Sequence, residues 1–306
     1  MSAVIEVTNV SKHYDDREVV AGLNLRVEAG QCFGLLGPNG AGKSTTLRMI
    51  YGVTRPNSGH VRVFGLDVAT ESRAVRARLG VTLQDNVMID ALSPVENLRV
   101  FGGYHLLREP LLSQRIAQLV DYLELGFHAN VPVIALSGGF KRRLAIAMSL
   151  INEPELLILD EPTTGLDPAV RLSLWTKVRE LKTKGKTVLL TTHYMDEAER
   201  LCDYVVIMSQ GRAVCQGSPK DLIAERVGKD AFEVDCTPAE EKLLLEGVSA
   251  RGVLRSGARL LVYGADVATL VPRLHGLDAQ RPFVLRPANL EDVFLAETGT
   301  RLEAGA

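Results

Sequence analysis

The sequence predicts an α/β protein with a mostly parallel sheet wound by helices, followed by a small α+β domain. Three observations lead to this prediction. A glycine-rich loop at residues 37–45 lies between a short apolar run and an amphipathic stretch. From Leu156 onward, apolar runs alternate with helical patterns, which is typical of a parallel sheet. After Gly217 the order becomes βαββαβ, which indicates a split-βαβ module.

The elements follow in chain order. Two strands are expected around the Asp15-Asp16 turn in residues 4–30, and residues 31–83 are expected to hold a strand, the loop helix, a turn and two further strands. Residues 87–152 read as largely helical, because apolar side chains recur there at three- and four-residue intervals. The remaining predicted elements of this part are a strand at 156–160, a helix at 170–184, a strand at 187–193, a helix at 195–201 and a strand segment at 204–217.

These patterns suggest four segments. We expect a large domain at residues 1–217, with a helical subdomain at about 87–152, and a linker helix at 218–230. A small α+β accessory domain is expected at 231–300 and a disordered tail at 301–306. The accessory domain carries no catalytic constellation, so its expected role is packing or dimerisation.

The glycine-rich loop matches the phosphate-binding pattern G-x-x-x-x-G-K-[ST] in the strand–loop–helix context that the pattern requires. Backbone N–H groups of such a loop point at phosphate oxygens, and the following helix adds its positive end. Lys43 is expected to contact the β- and γ-phosphates, and the Ser44 hydroxyl to bind Mg²⁺. The predicted nucleotide-binding residues of the loop are Gly37, Pro38, Asn39, Gly40, Ala41, Gly42, Lys43, Ser44 and Thr45.

Two adjacent acids end the apolar run LLILDEP at residues 156–162. Asp160 is expected at the C-terminal tip of a buried strand, where ligands of α/β sheets collect, and is predicted to hold Mg²⁺. Glu161 is the predicted general base that activates the attacking water. Two acids in such a place are often only a solvated turn, but the upstream loop favours the catalytic interpretation.

With these motifs, the chain resembles the ATPase subunits of ABC transporters. Ser137, Gly138 and Gly139 match the signature loop of that family. The resemblance implies that this loop contacts the γ-phosphate of ATP held by a second copy of the chain, in a sandwich dimer. Phe140 stands where the family commonly has glutamine, which leaves the backbone donors in place.

Further positions match the family in its own order. The resemblance implies that Gln84 contacts Mg²⁺ and the attacking water, and that His193 contacts the γ-phosphate and holds the geometry of Glu161. Asp167 lies in the GLDP loop that crosses between subunits, and Tyr14 matches the aromatic residue that stacks on adenine.

Composition bears on partners and compartment. The net charge is −2, from 35 basic and 37 acidic side chains, so no nucleic-acid partner is expected. The four cysteines form no C-x-x-C pair and read as small buried apolar residues in a reducing cytoplasm. No apolar run approaches the roughly 18–20 residues that span a bilayer. For a chain that resembles a transporter ATPase and has no such run, the resemblance implies a peripheral protein at the cytoplasmic face of the inner membrane, bound to a separate membrane subunit.

Three segments narrow the resemblance to exporters of the ABC-2 type: THYMDEAERLCD, LSGGFKRRL and RPANLEDVFLAETG. The resemblance is closest to nodulation-factor export ATPases, with daunorubicin-type drug-resistance export ATPases next. It implies a multi-span permease of the ABC-2 type as partner, with ATP and Mg²⁺ as cofactors. Two alternatives are a soluble ABC ATPase acting on a ribosome or nucleic acid, and an importer ATPase.

Overall fold

The computed structural model describes residues 3–84, 87–264 and 267–299. The disordered tail predicted at 301–306 lies outside the described residues. The predicted fold class is confirmed, with a P-loop α/β cassette and a small C-terminal α+β domain. Within the described ranges, none of the helices combines the length and apolar character needed to cross a bilayer.

The N-terminal strands form an antiparallel sheet of their own, which the sequence did not reveal. The elements of this part are β1 (Ala3–Tyr14), β2 (Arg17–Glu28), β3 (Cys32–Leu36), α1 (Lys43–Ile50), β4 (Ser58–Val63), β5 (Leu66–Asp67), α2 (Val68–Ala77) and β6 (Leu79–Thr82). The sheet order is β2-β1-β4-β5. Helix α2 was missed by the sequence analysis; the Asp67 carboxylate caps it by accepting from the N–H of Ala69, and its backbone departs from helical geometry at Glu71.

The central six-stranded sheet positions the candidate site. Its remaining elements and the helices around it are α3 (Pro94–Tyr104), α4 (Leu111–Tyr122), α5 (Gly138–Ser149), β7 (Leu156–Asp160), α6 (Pro168–Thr183), β8 (Thr187–Thr192), α7 (Met195–Leu201), β9 (Tyr204–Ser209) and β10 (Arg212–Gly217). The order is β10-β9-β3-β8-β7-β6, with every neighbour pair parallel except the antiparallel β10–β9 pair. Leu36 pairs with Thr192 and Asp160 with Thr191, so the C-terminal ends of β3, β7 and β8 meet at one edge.

The core lies on both faces of this sheet, because its strands are buried on both sides. Leu157 and Leu159 point into one cluster with α4–α7, and Leu156 and Ile158 into another with the antiparallel sheet, α1 and α2. All four cysteines are free and buried, which confirms their reading as small apolar residues.

The C-terminal domain has the predicted βαββαβ order. Its elements, with the preceding helix, are α8 (Pro219–Arg226), β11 (Asp230–Asp235), α9 (Pro238–Leu245), β12 (Gly252–Ser256), β13 (Arg259–Tyr263), α10 (Leu270–Leu277), β14 (Phe283–Pro287) and α11 (Leu290–Thr298). The strands form an antiparallel sheet in the order β12-β13-β11-β14. Helices α9 and α10 cover one face, where Phe232, Leu244 and Leu274 are buried together.

The final helix α11 joins the other face of this sheet to the cassette. Its Val293 and Phe294 are buried in the same cluster as Cys215 and Leu222 of the cassette side. Asp292 is fully buried and accepts two hydrogen bonds from the Arg286 guanidinium, at 2.7 and 2.8 Å. At the start of α11, the backbone N–H of Leu290 donates to the Glu199 carboxylate of α7 at 3.1 Å. The accessory domain is thus tied to the cassette of its own chain by apolar and polar contacts.

Candidate active site

The phosphate-binding loop connects β3 to α1 in a conformation that requires glycine. Gly37 and Gly42 have φ of +146° and +100°. A Cβ at Gly37 would lie 2.2 Å from the carbonyl oxygen of Met208, and one at Gly42 would lie 2.6 Å from that of Val19. Both contacts are backbone contacts that cannot move aside cheaply, so the loop is held tightly between β2 and β9.

Lys43 lies inside this loop. Its Nζ donates to the carbonyl oxygens of Gly37 at 2.7 Å and Pro38 at 3.2 Å, and lies 3.4 Å from Oε1 of Glu161. Burial lowers the pKa of Lys43, while the charge of Glu161 opposes that shift. The ammonium group is therefore held at the end of β7, where the two predicted acids emerge.

Asp160 and Ser44 come together across the sheet edge. Oδ1 of Asp160 accepts a hydrogen bond from the Thr191 hydroxyl at 2.5 Å and a longer one from the Ser44 hydroxyl at 3.4 Å. Asp160 is buried, so Thr191 fixes the orientation of its carboxylate beside the loop. These contacts place two oxygen donors predicted for Mg²⁺ next to each other.

Glu161 is held on both sides of its carboxylate. Its Oε2 lies 3.3 Å from Nδ1 of His193 and accepts a hydrogen bond from the Thr164 hydroxyl at 3.1 Å. Burial alone would raise the pKa of Glu161, but the charge of Lys43, the neighbouring His193 and the hydrogen bond from Thr164 together outweigh it, and the pKa is lowered. The group is therefore an ionised carboxylate, the form a general base needs.

The backbone of Glu161 is also unusual, with a φ of +47° in the left-handed region that a glutamate seldom adopts. Its N–H donates to the Thr191 hydroxyl at 3.0 Å. A strained residue of this kind persists only where its surroundings hold it, and such residues cluster at functional sites.

The structure brings five predicted residues together, Lys43, Ser44, Asp160, Glu161 and His193. Gly37 and Pro38 of the loop also accept hydrogen bonds from Lys43, whereas Tyr14, Gln84 and Asp167 have no described hydrogen bond or ion pair with the five residues. Tyr14 is 42% exposed on the β1–β2 hairpin, and Gln84 is exposed just after β6.

Of the signature positions at the start of α5, Ser137 and Gly138 are exposed and Gly139 is half-buried. Ser137 occupies the N-cap position, yet its hydroxyl makes no capping hydrogen bond. A Cβ at Gly138 would meet nothing within 4 Å. Phe140 turns inward instead and packs on the His128 ring at 4.1 Å between centroids. Ser137 therefore does not cap α5 through its side chain, and its hydroxyl has no hydrogen-bond partner among the residues that the structure describes.

Asp167 is exposed as well and caps α6, accepting hydrogen bonds from the N–H groups of Ala169 and Val170 at 3.1 and 3.0 Å. The capping contacts fix the loop between Glu161 and α6. Because Asp167 is exposed, these contacts are compatible with the subunit contact that the family resemblance implies for it.

Arg142 is the main site residue that the sequence analysis missed. In the sequence it stands only as one of three consecutive basic residues in the segment LSGGFKRRL. In the structure it is buried, and its guanidinium donates to the carbonyl oxygens of Leu83, Asp160, Glu161 and Pro162 at 2.6–2.8 Å. No local pattern distinguishes it from the neighbouring basic residues, because its partners lie far away in sequence.

An apolar cavity lies beside the exposed Gln84. It measures about 250 Å³ and is bounded by β6, α3 and α5. Val87, Met88, Phe101 and Met148 are among the side chains that line it. Val87 is 61% exposed at this site, so the cavity opens to the surface.

Two family models match the chain. The model described as ABC transporter matches residues 20–164, and the model described as the C-terminal domain of the nodulation factor export protein NodI matches residues 241–299. The first match lies within the segment 1–217 and the second within the segment 231–300, which were distinguished from the sequence.

Curated relatives are similar over nearly the full chain. The Nod factor export ATP-binding protein I of Cupriavidus pinatubonensis is 44% identical over 305 residues, which cover 99% of this chain and 93% of the relative. The protein of the same name from Sinorhizobium fredii is 45% identical over 299 residues, covering 98% and 87%.

Solved structures share the cassette. The cbiO1 structure from Clostridium perfringens, described as part of the ABC transporter complex cbiONQ, has a TM-score of 0.67 and 31% identity, covering 74% of this chain and 92% of that one. A dimeric bacterial ABC transporter cassette has a TM-score of 0.65 and 26% identity, covering 70% and 98%.

Proposed function

Because this chain belongs to the family of ABC transporter ATPases, we propose that two copies bind ATP between them and that the five clustered side chains of each copy hydrolyse one nucleotide. The chain is the ATP-hydrolysing subunit of an exporter, as its full-length similarity to Nod factor export ATP-binding proteins indicates. A soluble or importer ATPase is not favoured by these comparisons.

One observation carries the catalytic part of the proposal. The ionised carboxylate of Glu161 lies 3.4 Å from the Lys43 ammonium and 3.3 Å from the His193 imidazole, in a buried site at the end of the sheet. In the proposed role Glu161 accepts the proton of the attacking water, while Lys43 binds the β- and γ-phosphates. His193 holds the carboxylate in place and contacts the γ-phosphate.

The residues present fit a magnesium ion. Mg²⁺ prefers oxygen ligands, and the Ser44 hydroxyl and Asp160 carboxylate lie 3.4 Å apart beside the phosphate-binding loop. We assign these two groups to the ion, with Gln84 as a further oxygen donor from the adjacent loop. When bound, the ion would neutralise negative charge on the phosphates.

The exposed positions suit contacts between two copies. Ser137, whose hydroxyl makes no capping hydrogen bond, lies with Gly138 and Gly139 at a helix N-terminus that can donate to a phosphate of the other copy's ATP. Asp167 lies on the loop we assign to the subunit boundary, and Tyr14 is assigned to the adenine. The dimeric cassette among the solved structures supports this arrangement.

We further assign the apolar cavity beside Gln84 to a cytoplasmic helix of a membrane permease of the ABC-2 type. The cavity lies between the end of β6 and the helices α3 and α5, and its lining includes Leu83, the residue immediately before Gln84. The chain would then lie peripherally on the cytoplasmic face of the membrane.

Mixed dimers test the shared sites. Ser137→Arg should abolish most hydrolysis while ATP still binds, because the bulky side chain blocks the contact with the other copy's phosphate. Mixing it with Lys43→Ala subunits should restore activity, since one of the two composite sites then carries neither change. If mixed dimers form and activity does not return, the two-copy site is wrong.

A second experiment tests the permease. Val87→Asp places a charge at the cavity mouth and should reduce both co-purification with the membrane subunit and the stimulation of hydrolysis by it. Val53 offers a matched control, because it is 67% exposed against 61% for Val87 and lies outside the cavity lining. Equal effects of Val87→Asp and Val53→Asp would refute the assignment.

A further inference from the structure

Arg142 lies on the second turn of α5, five positions after Ser137, and reaches the loops that follow β6 and β7. Its Nε donates to Pro162 at 2.7 Å, its Nη1 to Leu83 at 2.8 Å, and its Nη2 to Asp160 at 2.6 Å and Glu161 at 2.8 Å. One guanidinium thus fixes three consecutive carbonyl groups at the end of β7, those of residues 160–162. It also fixes the carbonyl immediately before Gln84.

These hydrogen bonds act on the residue whose backbone most needs support. Glu161 holds a φ of +47°, and its peptide groups are restrained from both sides. The Thr191 hydroxyl accepts from its N–H at 3.0 Å, and Arg142 donates to its carbonyl oxygen. Release of either contact would let the backbone relax and turn the carboxylate away from the attacking water.

The electrostatic setting of Arg142 is also unusual. The side chain is buried, and all its hydrogen bonds in the described part of the chain go to neutral carbonyl oxygens. Burial lowers the pKa of Arg142, while the charges of Asp160, Glu197 and Glu161 oppose this. A lysine would keep the charge but lose the planar set of donors, so the two residues are not equivalent here.

We propose that Arg142 is a positioning residue for hydrolysis, which sets the position of Glu161 through the backbone of residues 160–162. Arg142 acts within its own chain, although its helix presents Ser137 to the other copy. This inference rests on the proposed function, because it takes Glu161 as the base.

The first test separates positioning from binding and folding. Arg142→Lys should lower kcat by on the order of a hundredfold, as expected for a catalytic group displaced by about 1 Å. The Kd for ATP and the melting temperature should change little. Arg143→Gln is the control, because Arg143 lies next on the same helix and donates to Glu124 and Ser173 instead of residues 160–162. We expect near-normal kcat from it.

The second test asks which site Arg142 serves, using dimers in which Lys43→Ala silences one site. In the first arrangement, Arg142→Lys and Lys43→Ala are on the same chain and the other chain is wild type. The surviving site then contains the unchanged Glu161 of the wild-type chain. Activity should therefore equal that of a dimer of Lys43→Ala with wild type. With the two changes on separate chains, the surviving site contains the altered turn, and activity should fall by the same factor as in the Arg142→Lys homodimer.

Several outcomes would overturn the inference. These are a normal kcat for Arg142→Lys, a loss of ATP binding or folding in that variant, an equal loss of kcat in Arg143→Gln, or equal activity in the two mixed arrangements. The proposed function fails separately, through normal hydrolysis by Glu161→Gln. An inactive Glu161→Gln with a fully active Arg142→Lys would remove only the role of Arg142.

Discussion

Replacement of Glu161 by glutamine is the most direct test of the catalytic assignment. The amide keeps the size of the side chain and can still contact Lys43 and His193, which lie 3.4 and 3.3 Å from the carboxylate. It cannot accept a proton from water. Loss of a positioned base costs about 10²- to 10⁴-fold in rate, or about 3–5 kcal/mol in activation free energy.

The same change should not weaken ATP binding. Two unit charges 3.4 Å apart interact by about 5 kcal/mol at an effective dielectric constant of about 20, before screening. Without the negative charge of Glu161, the field of Lys43 acts fully on the phosphates, and repulsion between carboxylate and γ-phosphate disappears. ATP should therefore bind at least as tightly, and the ATP-bound dimer should persist.

The assay measures phosphate release under initial-rate conditions, ATP binding by calorimetry and dimer formation by size-exclusion chromatography. A rate within a few-fold of wild type would refute Glu161 as the base. A rate that falls only because ATP no longer binds would show that the residue acts in binding, which contradicts the geometric argument.

Two further changes probe other parts of the structure. Lys43→Ala should abolish measurable ATP binding without unfolding, since it removes the ammonium that donates into the phosphate loop; unchanged binding by calorimetry would contradict the loop assignment. Asp292→Ala should destabilise the fold by about 3 kcal/mol in urea unfolding, because it leaves the Arg286 guanidinium partly unpaired, whereas the exposed Asp235→Ala should cost about 0–1 kcal/mol. Equal costs would show that the buried pair contributes no more to stability than the exposed pair.

The sequence was sufficient for those parts of the fold that short segments determine. The loop from Gly37 to Ser44 requires glycines and a lysine at fixed spacing, and the short apolar run that ends at Asp160 is typical of a buried strand. The tail also followed from local patterns, because each strand and helix has its own periodicity. The family resemblance to ABC transporter ATPases and the exporter assignment are confirmed by the comparisons.

Long-range contacts set the limit of the prediction. The separate sheet of β1, β2, β4 and β5 depends on which strands pair, and no local sequence pattern identifies the partner of a strand. Helix α2 has only two large apolar residues, Val68 and Val75, and its backbone departs from helical geometry at Glu71, so no run of large apolar side chains marks it in the sequence. Arg142 differs from Arg143 only in the direction that the folded helix gives it.

The position of α11 has a consequence for how the chain can be divided. In chain order this helix ends the accessory domain, but Val293 and Phe294 belong to the same packed interior as Cys215 and Leu222. A fragment that stops at residue 230 would leave that interior uncovered and prone to self-association. Chimeras between related ATPases should therefore exchange the accessory domain together with the surface of α7 and α8 that α11 contacts. The exchanged domain then packs against its own native surface.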